Sequence, residues 1–256
     1  IFCCKEVKMD CIPKPTKTFK SVKHYKELYN LILKWFNYGE LNSYKEELLL
    51  KIKKIDKIFE YYALISLLKK AKEMGYTLEK RGAQYYKYGV KDSKFEEPDI
   101  NNTFYLTNGL DKLIIYYQPV IFSSENSFNN NINLFRTDSD SYWIPDFLFC
   151  AEHSNNKLYY AISDAKYSNR KNIRNHYFHT ELVKYVCSIA DITGQTPAVR
   201  FVWILQGREH IGAHIEPFHR SKLARSVNPI PSFGIQVLNP SQNNLDAFWH
   251  ELIRCL

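Results

Sequence analysis

Residues 161–168 read AISDAKYS, an apolar, β-prone run interrupted by Asp164 and Lys166 two positions apart. Side chains alternate faces along an extended strand, so both point the same way, with Cα atoms about 6.6 Å apart. Upstream, YWIPDFLFCAE at 142–152 has the same character and carries Asp146, and HSNN at 153–156 separates the two runs with turn-forming residues. An antiparallel pair turning about Asn155 sets Asp146 opposite Asp164, with their Cβ atoms about 5 Å apart on one face. Lys166 shares that face, which Leu148, Cys150, Tyr160 and Ile162 continue, while Phe147, Phe149, Tyr159 and Ala161 line the other. Both faces of the hairpin are therefore expected to be covered.

Two carboxylates at that separation repel by about 3 kcal/mol at an effective dielectric of about 20, and one lysine neutralises only one of them. A buried ion pair with a spare carboxylate is the plain alternative, and it leaves one charge uncompensated. A divalent cation removes the conflict. Oxygen-only ligands suit Mg²⁺, with Mn²⁺ as its substitute, and the ion keeps several waters and completes its shell with a substrate phosphate. Such a site suits phosphodiester hydrolysis: the metal lowers the pKa of a bound water, and the adjacent ammonium orients the nucleophile or offsets developing charge.

Around this hairpin the chain has a mixed α/β order. Its 256 residues, 45% of them hydrophobic, suffice for one sizeable domain with an appendage. After IPKPTK, residues 21–38 show helical periodicity, with Tyr25, Leu28, Leu31, Ile32 and Trp35 on one stripe of a packing or linking helix. A longer helix is predicted from Tyr44 to Met74, with Ile52, Ile55, Phe59, Tyr62 and Ile65 in the apolar register and Gly75 as its stop. Its lysines at 51, 53, 54, 57, 69, 70 and 72 read as a solvated flank. TFYLT and LDKLIIYYQPVIF follow as a hairpin joined at Asn108-Gly109, both tolerant of positive φ. The Asn-rich stretch 123–141 reads as a long loop. Beyond the central hairpin come a helix from His176 to Ala190, a strand AVRFVWILQ, an irregular stretch, a strand FGIQVL and a terminal helix near LDAFWHELI.

Pro145-Asp146 followed by Asp164-Ala165-Lys166, with a hairpin between them and a helix before, resembles the PD-(D/E)xK nuclease superfamily. IPDFLF and SDAKYS are similar in particular to the nuclease subunit of McrBC-type, modification-dependent restriction systems, as are the preceding KIFEYYALISLLKKAKEMGY and LIIYYQP; the likeness spans residues 44–205. It implies an α/β, restriction-endonuclease-like core, a central mixed β-sheet flanked by helices, over residues 44–256. Residues 1–43 then form an N-terminal helical extension or linker. The implied activity is Mg²⁺-dependent DNA endonuclease cleavage in prokaryotic restriction or anti-phage defence. The implied partner is an McrB-like nucleotide-hydrolysing motor; the chain has no P-loop, so that motor is a separate chain.

By the same resemblance Asp146 and Asp164 are metal ligands and Lys166 is the catalytic lysine. Glu60 matches an acid on the first helix that joins the catalytic metal site, where it holds a metal-bound water, or else it is a solvated position beside Lys57. ELVKY places Glu181 and Tyr185 at the spacing of a Q-x-x-x-Y motif, with Glu for Gln. Glu181 then orients Lys166, extends the metal site or faces solvent, and Tyr185 reads as core ahead of catalysis. Arg170, Lys171 and Arg174 in SNRKNIRNH form a basic loop after the lysine, suited to DNA phosphates or to a solvated turn. The alternatives are a non-catalytic nuclease-like nucleic-acid-binding or assembly module, and a DNA-repair nuclease.

The formal net charge of +8 favours a polyanionic partner. Six cysteines, at 3, 4, 11, 150, 187 and 255, lack CxxC spacing. Cys150 and Cys187 lie in apolar runs and read as reduced core residues of an intracellular, cytoplasmic protein, while IFCCKEVKMDC leaves metal binding or crosslinking open. No apolar run reaches the roughly 18 residues of a membrane span, and no secretory signal is visible. The first residue is Ile1, so the chain is expected to be part of a longer protein. His210, His214 and His219 in REHIGAHIEPFHR are broken up by Gly212 and Pro217, so they read as surface or substrate-loop residues; His176 and His179 stand at the start of their helix near the cleft.

Overall fold

The computed structural model describes residues 55–82, 86–87, 95–96, 102–109, 111–123, 132–152, 157–192, 197–218 and 229–256, together with Lys23 and Lys26. The chain divides into two units, Ile1–Lys53 and Lys54–Leu256. In the first, Lys23 and Lys26 are helical and exposed. The rest of the predicted 21–38 helix, the first part of the helix predicted from Tyr44, Cys3, Cys4, Cys11 and His219 lie outside the described residues.

The second unit begins with helix α1 (Ile55–Glu73), followed by strands β1 (Thr77–Gly82), β2 (Tyr86–Lys87), β3 (Phe95–Glu96), β4 (Thr103–Asn108), β5 (Asp111–Tyr117), β6 (Leu134–Arg136), β7 (Phe147–Glu152) and β8 (Leu158–Lys166). Four helical segments, Arg170–Asn172, Ile173–Tyr177, Phe178–Leu182 and Val183–Cys187, run on without a break as α2, the second and fourth being π-helical. Then come β9 (Ile189–Asp191), β10 (Val199–Gln206), β11 (Ile215–Pro217), β12 (Ser232–Val237) and helix α3 (Asp246–Cys255). Eight strands form one sheet in the order β1-β4-β5-β7-β8-β10-β12-β11. β8, β10 and β12 are parallel, while β1, β4, β5, β7 and β11 pair antiparallel with their neighbours, so the fold is α/β with a mixed central sheet.

The β7–β8 register runs from Phe147 opposite Ser163 to Glu152 opposite Leu158, the register of a turn about Asn155. β5 and β10 pair with its two edges, and a separate core covers each of its faces. Phe147, Phe149 and Ala161 join the core beneath α1 and α3, with Phe201, Trp203, Phe248 and Trp249. Leu148, Cys150, Tyr160 and Ile162 join the core beneath α2, with Ile173, Phe178 and Tyr185. A slip of one residue would exchange the two sets, which is why such a register is strongly specified.

α1 packs by a different stripe from the expected one. Phe59, Ala63, Leu64, Leu67 and Ala71 are buried, whereas Ile65 is 66% exposed. The two alanines let the helix backbone approach the sheet, and small residues carry little weight in a reading that follows bulky side chains. Gly75 does end the helix, at φ +89°, with the Tyr76 N–H donating to the Ala71 carbonyl at 3.0 Å. Lys70 is no part of a solvated flank: it pairs with Asp246 of α3 and with Glu73.

The β4–β5 hairpin forms with Asn108 opposite Asp111, so its turn falls one residue later than Asn108-Gly109, with Gly109 at φ +64°. The stretch 123–141 is not all loop, since β6 lies in it and pairs with β9. β9 also ends the second helix at Cys187 instead of Ala190, and Cys187 is exposed while Cys150 is buried. β1 carries no apolar alternation, its first five residues being exposed, as suits an edge strand that pairs only with β4. No helix among the described residues is long and apolar enough to cross a membrane.

Candidate active site

Asp146 immediately precedes β7, and Asp164 lies near the end of β8, so the register brings both to the same end of the sheet. Each carboxylate is fixed by the backbone of the opposite strand. The Asp146 N–H donates to Asp164 Oδ1 at 3.1 Å, and the Ala165 N–H donates to Asp146 Oδ2 at 2.7 Å. Lys166 Nζ donates to Asp164 Oδ2 at 2.6 Å and stands 3.8 Å from Glu181 Oε1. The Lys166 side chain is 22% exposed, whereas Asp164 is buried.

α2 returns over this end of the sheet. Asn169 caps it, its side chain accepting from the Asn172 N–H at 2.9 Å, so only three residues separate β8 from the helix. Glu181 and Tyr185 are both buried. Glu181 therefore does not face solvent, which removes one of its three expected roles. Tyr185 is core and also a partner of the site, its hydroxyl donating to Asp164 Oδ1 at 3.2 Å. Lys184 Nζ donates to Tyr185 Oη at 2.7 Å and lies 3.6 Å from Glu181 Oε2. The sequence does not mark Lys184; its one signal is the three-residue spacing from Glu181.

Glu60 comes from α1, on the opposite face of the sheet. Its Oε2 accepts from Lys57 Nζ at 2.7 Å, the Tyr117 hydroxyl at 2.9 Å and Gln118 Nε2 at 2.9 Å, so it is no free solvated position. Gln118 has φ 49° and its N–H donates to the Asp146 carbonyl at 2.9 Å. A glutamine in the left-handed region stores strain, here beside the paired acids. Gly207 completes this end: its N–H donates to the Lys166 carbonyl at 3.0 Å, and a Cβ there would stand 2.6 Å from the Tyr167 ring and 2.9 Å from that of Phe59. Both rings close over the strand ends because that position has no side chain.

The acids titrate apart. Burial, then the neighbouring Asp164, pushes the Asp146 carboxyl well above the usual carboxylate range. Burial opposes ionisation of Asp164 too, yet Lys166 and Lys184 hold it down at about 2. Burial and then Asp164 push Glu181 up to about 8. For Lys166, burial works against the charge, but Asp164 and Asp146 keep its pKa above the ordinary value. At neutral pH the Glu181 carboxyl holds its proton, chiefly because burial disfavours its charge.

Among the described residues, no group of three or more His, Cys, Asp or Glu side chains is arranged to hold a metal. Mg²⁺ needs only one or two carboxylates and retains waters. The facing carboxylates of Asp146 and Asp164 offer such an ion oxygen donors alone and so fit it.

The basic stretch after Lys166 is helical, not a loop. Arg170 is buried: its Nε donates to Gln206 Oε1 at 2.7 Å, Nη1 to Glu216 Oε2 at 2.6 Å and Nη2 to the Ala213 carbonyl at 3.3 Å. Those bonds tie α2 to β10 and β11 and leave the guanidinium inside the protein, out of a phosphate's reach. Arg174 pairs with the other oxygen of Glu216, and Lys171 is exposed. His176, His179 and His214 are exposed and His210 is half-buried. Family models, curated proteins and solved structures yielded no match to this chain.

Proposed function

We propose that this chain is a Mg²⁺-dependent DNA endonuclease with a restriction-endonuclease-like core, the nuclease component of a prokaryotic restriction or anti-phage system. In that reading it works in the cytoplasm with an McrB-like nucleotide-hydrolysing motor. The observation that carries the reading is the reciprocal fixing of Asp146 and Asp164 across one antiparallel register, with Lys166 on the same face and partly open to solvent. Asp146 and Asp164 would hold the ion. Bound there, Mg²⁺, or Mn²⁺ in its place, supplies a Lewis acid and a water of lowered pKa. Lys166 donates to a phosphate oxygen and offsets charge as it develops. Glu60, steadied by Tyr117 and Gln118, orients the attacking water from the α1 side. Glu181 and Tyr185 position Lys166 and Asp164, and Lys171 is the exposed member of the basic stretch available to DNA.

Plasmid DNA incubated with Mg²⁺ and the motor subunit is the test. Asp164→Ala and Lys166→Ala are expected to lower cleavage by about 100-fold or more with the fold retained by circular dichroism. Equal cleavage by wild type and both variants overturns the assignment. A second reading, a non-catalytic nuclease-like DNA-binding or assembly module, draws on the 2.6 Å clamp of Lys166 on Asp164. It predicts DNA retention without metal and no cleavage with the motor present.

A further inference from the structure

We propose that Arg208 binds a phosphate of the DNA backbone beside the scissile one and so holds the strand over the paired aspartates; the inference rests on the nuclease reading above. In that reading the metal and Lys166 engage the scissile phosphate. Of the basic residues after β8, Arg170 is buried and Arg174 pairs with Glu216. Contacts to flanking phosphates are what fix where a strand lies, and they call for a cation beside the site. Arg208 is placed to make one.

β10 runs parallel to β8 with Gln206 opposite Lys166, so the chain leaves β10 at the end of the sheet that carries the aspartates. Ligands of parallel strands bind outside such carboxyl ends. The Gly207 N–H donates to the Lys166 carbonyl at 3.0 Å, and the Arg208 carbonyl accepts from Gln206 Nε2 at 3.0 Å. Gln206 is itself fully buried, and its Oε1 accepts from Arg170 Nε at 2.7 Å. The buried Arg170–Gln206 pair thus fixes the backbone of Arg208. The Arg208 side chain is exposed, with its guanidinium 5.7 Å from the ring centroid of Tyr167. Tyr167 packs on Phe59 of α1, whereas the Lys166 ammonium lies 5.6 Å from the ring centroid of Tyr177 in α2. The two cations therefore flank the end of β8 from opposite sides. No carboxylate among the described residues pairs with Arg208, and the neighbouring Glu209 accepts from Ser241 Oγ at 3.2 Å. Arg200 is the comparison: its guanidinium lies 4.5 Å from the ring centroid of Tyr159, at the start of the same two strands. Stacking on a tyrosine is common to both arginines, and only Arg208 stands beside the aspartates.

The test is the titration of a fluorescent DNA duplex followed by anisotropy, with Ca²⁺ in place of Mg²⁺ so that the duplex stays whole, from about 50 to about 200 mM salt. Arg208→Gln is expected to weaken binding about tenfold at the low-salt end, equally on two duplexes of unrelated sequence, and to reduce the slope of log affinity against log salt by about 0.9. Arg208→Lys keeps the wild-type slope. Arg200→Gln, which removes the same charge and the same kind of stack, leaves slope and affinity unchanged. In cleavage assays Arg208→Gln raises KM and leaves kcat within about twofold of wild type. Equal slopes for wild type and Arg208→Gln, or an equal loss in Arg200→Gln, overturn the inference and leave the nuclease reading standing. A wild-type protein that binds no duplex overturns that reading, and the inference with it.

Discussion

At the scale of single residues, Glu181 makes the most direct statement about the electrostatics of the site. Its carboxyl is raised to about 8 from an ordinary 4.5, by burial and then by Asp164. The folded state therefore binds a proton that the unfolded chain releases, and stability falls as pH rises from about 4.5 to about 8. Glu181→Gln removes that dependence. Its Tm is expected to exceed that of wild type by several degrees at about pH 8.5 and to match it at about pH 5; equal Tm values at both would contradict the burial of an ionisable group there. Asp164 acts in the opposite sense: the stability it contributes is present above its unfolded value and is lost as pH falls toward about 2. Asp146, Asp164 and Lys166 are legible in the sequence because strand alternation has a fixed period of two and one turn sets the register. Lys184 is not, since π-helical turns displace side chains from the positions a 3.6-residue period assigns. The burial of Arg170 is likewise hidden, because its partner Glu216 is 46 residues away in sequence.

At the scale of elements, α1 decides how closely the Glu60 face meets the sheet. Leu67 is fully buried between Ala63 and Ala71, whereas Ile65 points outward. Leu67→Ala is expected to cost about 2–5 kcal/mol, and Ile65→Ala about 0.5 kcal/mol or less, in denaturant unfolding. Comparable losses would contradict the observed orientation of the helix. The sequence locates α1, both hairpins, β10, β12 and α3, because each carries its own periodicity or turn chemistry. It does not locate β1, β6, β9 or β11. Two of these have only three residues in the β6–β9 pair, and β1 and β11 lie at the sheet edges, so pairing with distant strands and not local pattern makes them extended.

Across the second unit as a whole, two apolar layers clamp the sheet, and acids from opposite layers converge on one end of it. α1 brings Glu60 from one side, α2 brings Glu181, Lys184 and Tyr185 from the other, and the β7–β8 pair holds Asp146 and Asp164 between them. Arg170 and Glu216 anchor the start of α2 to the far strands, and the Trp143 Nε1–H on Ser188 Oγ ties down the residue that follows its end. The central claim is that the paired aspartates capture a divalent cation. The measurement that tests it most directly is anomalous diffraction from crystals soaked in Mn²⁺. The account predicts a peak at the carboxylates of Asp146 and Asp164 that disappears in Asp164→Ala. Crystals with no peak there at saturating Mn²⁺, and Lys166 still clamped on Asp164, would contradict it.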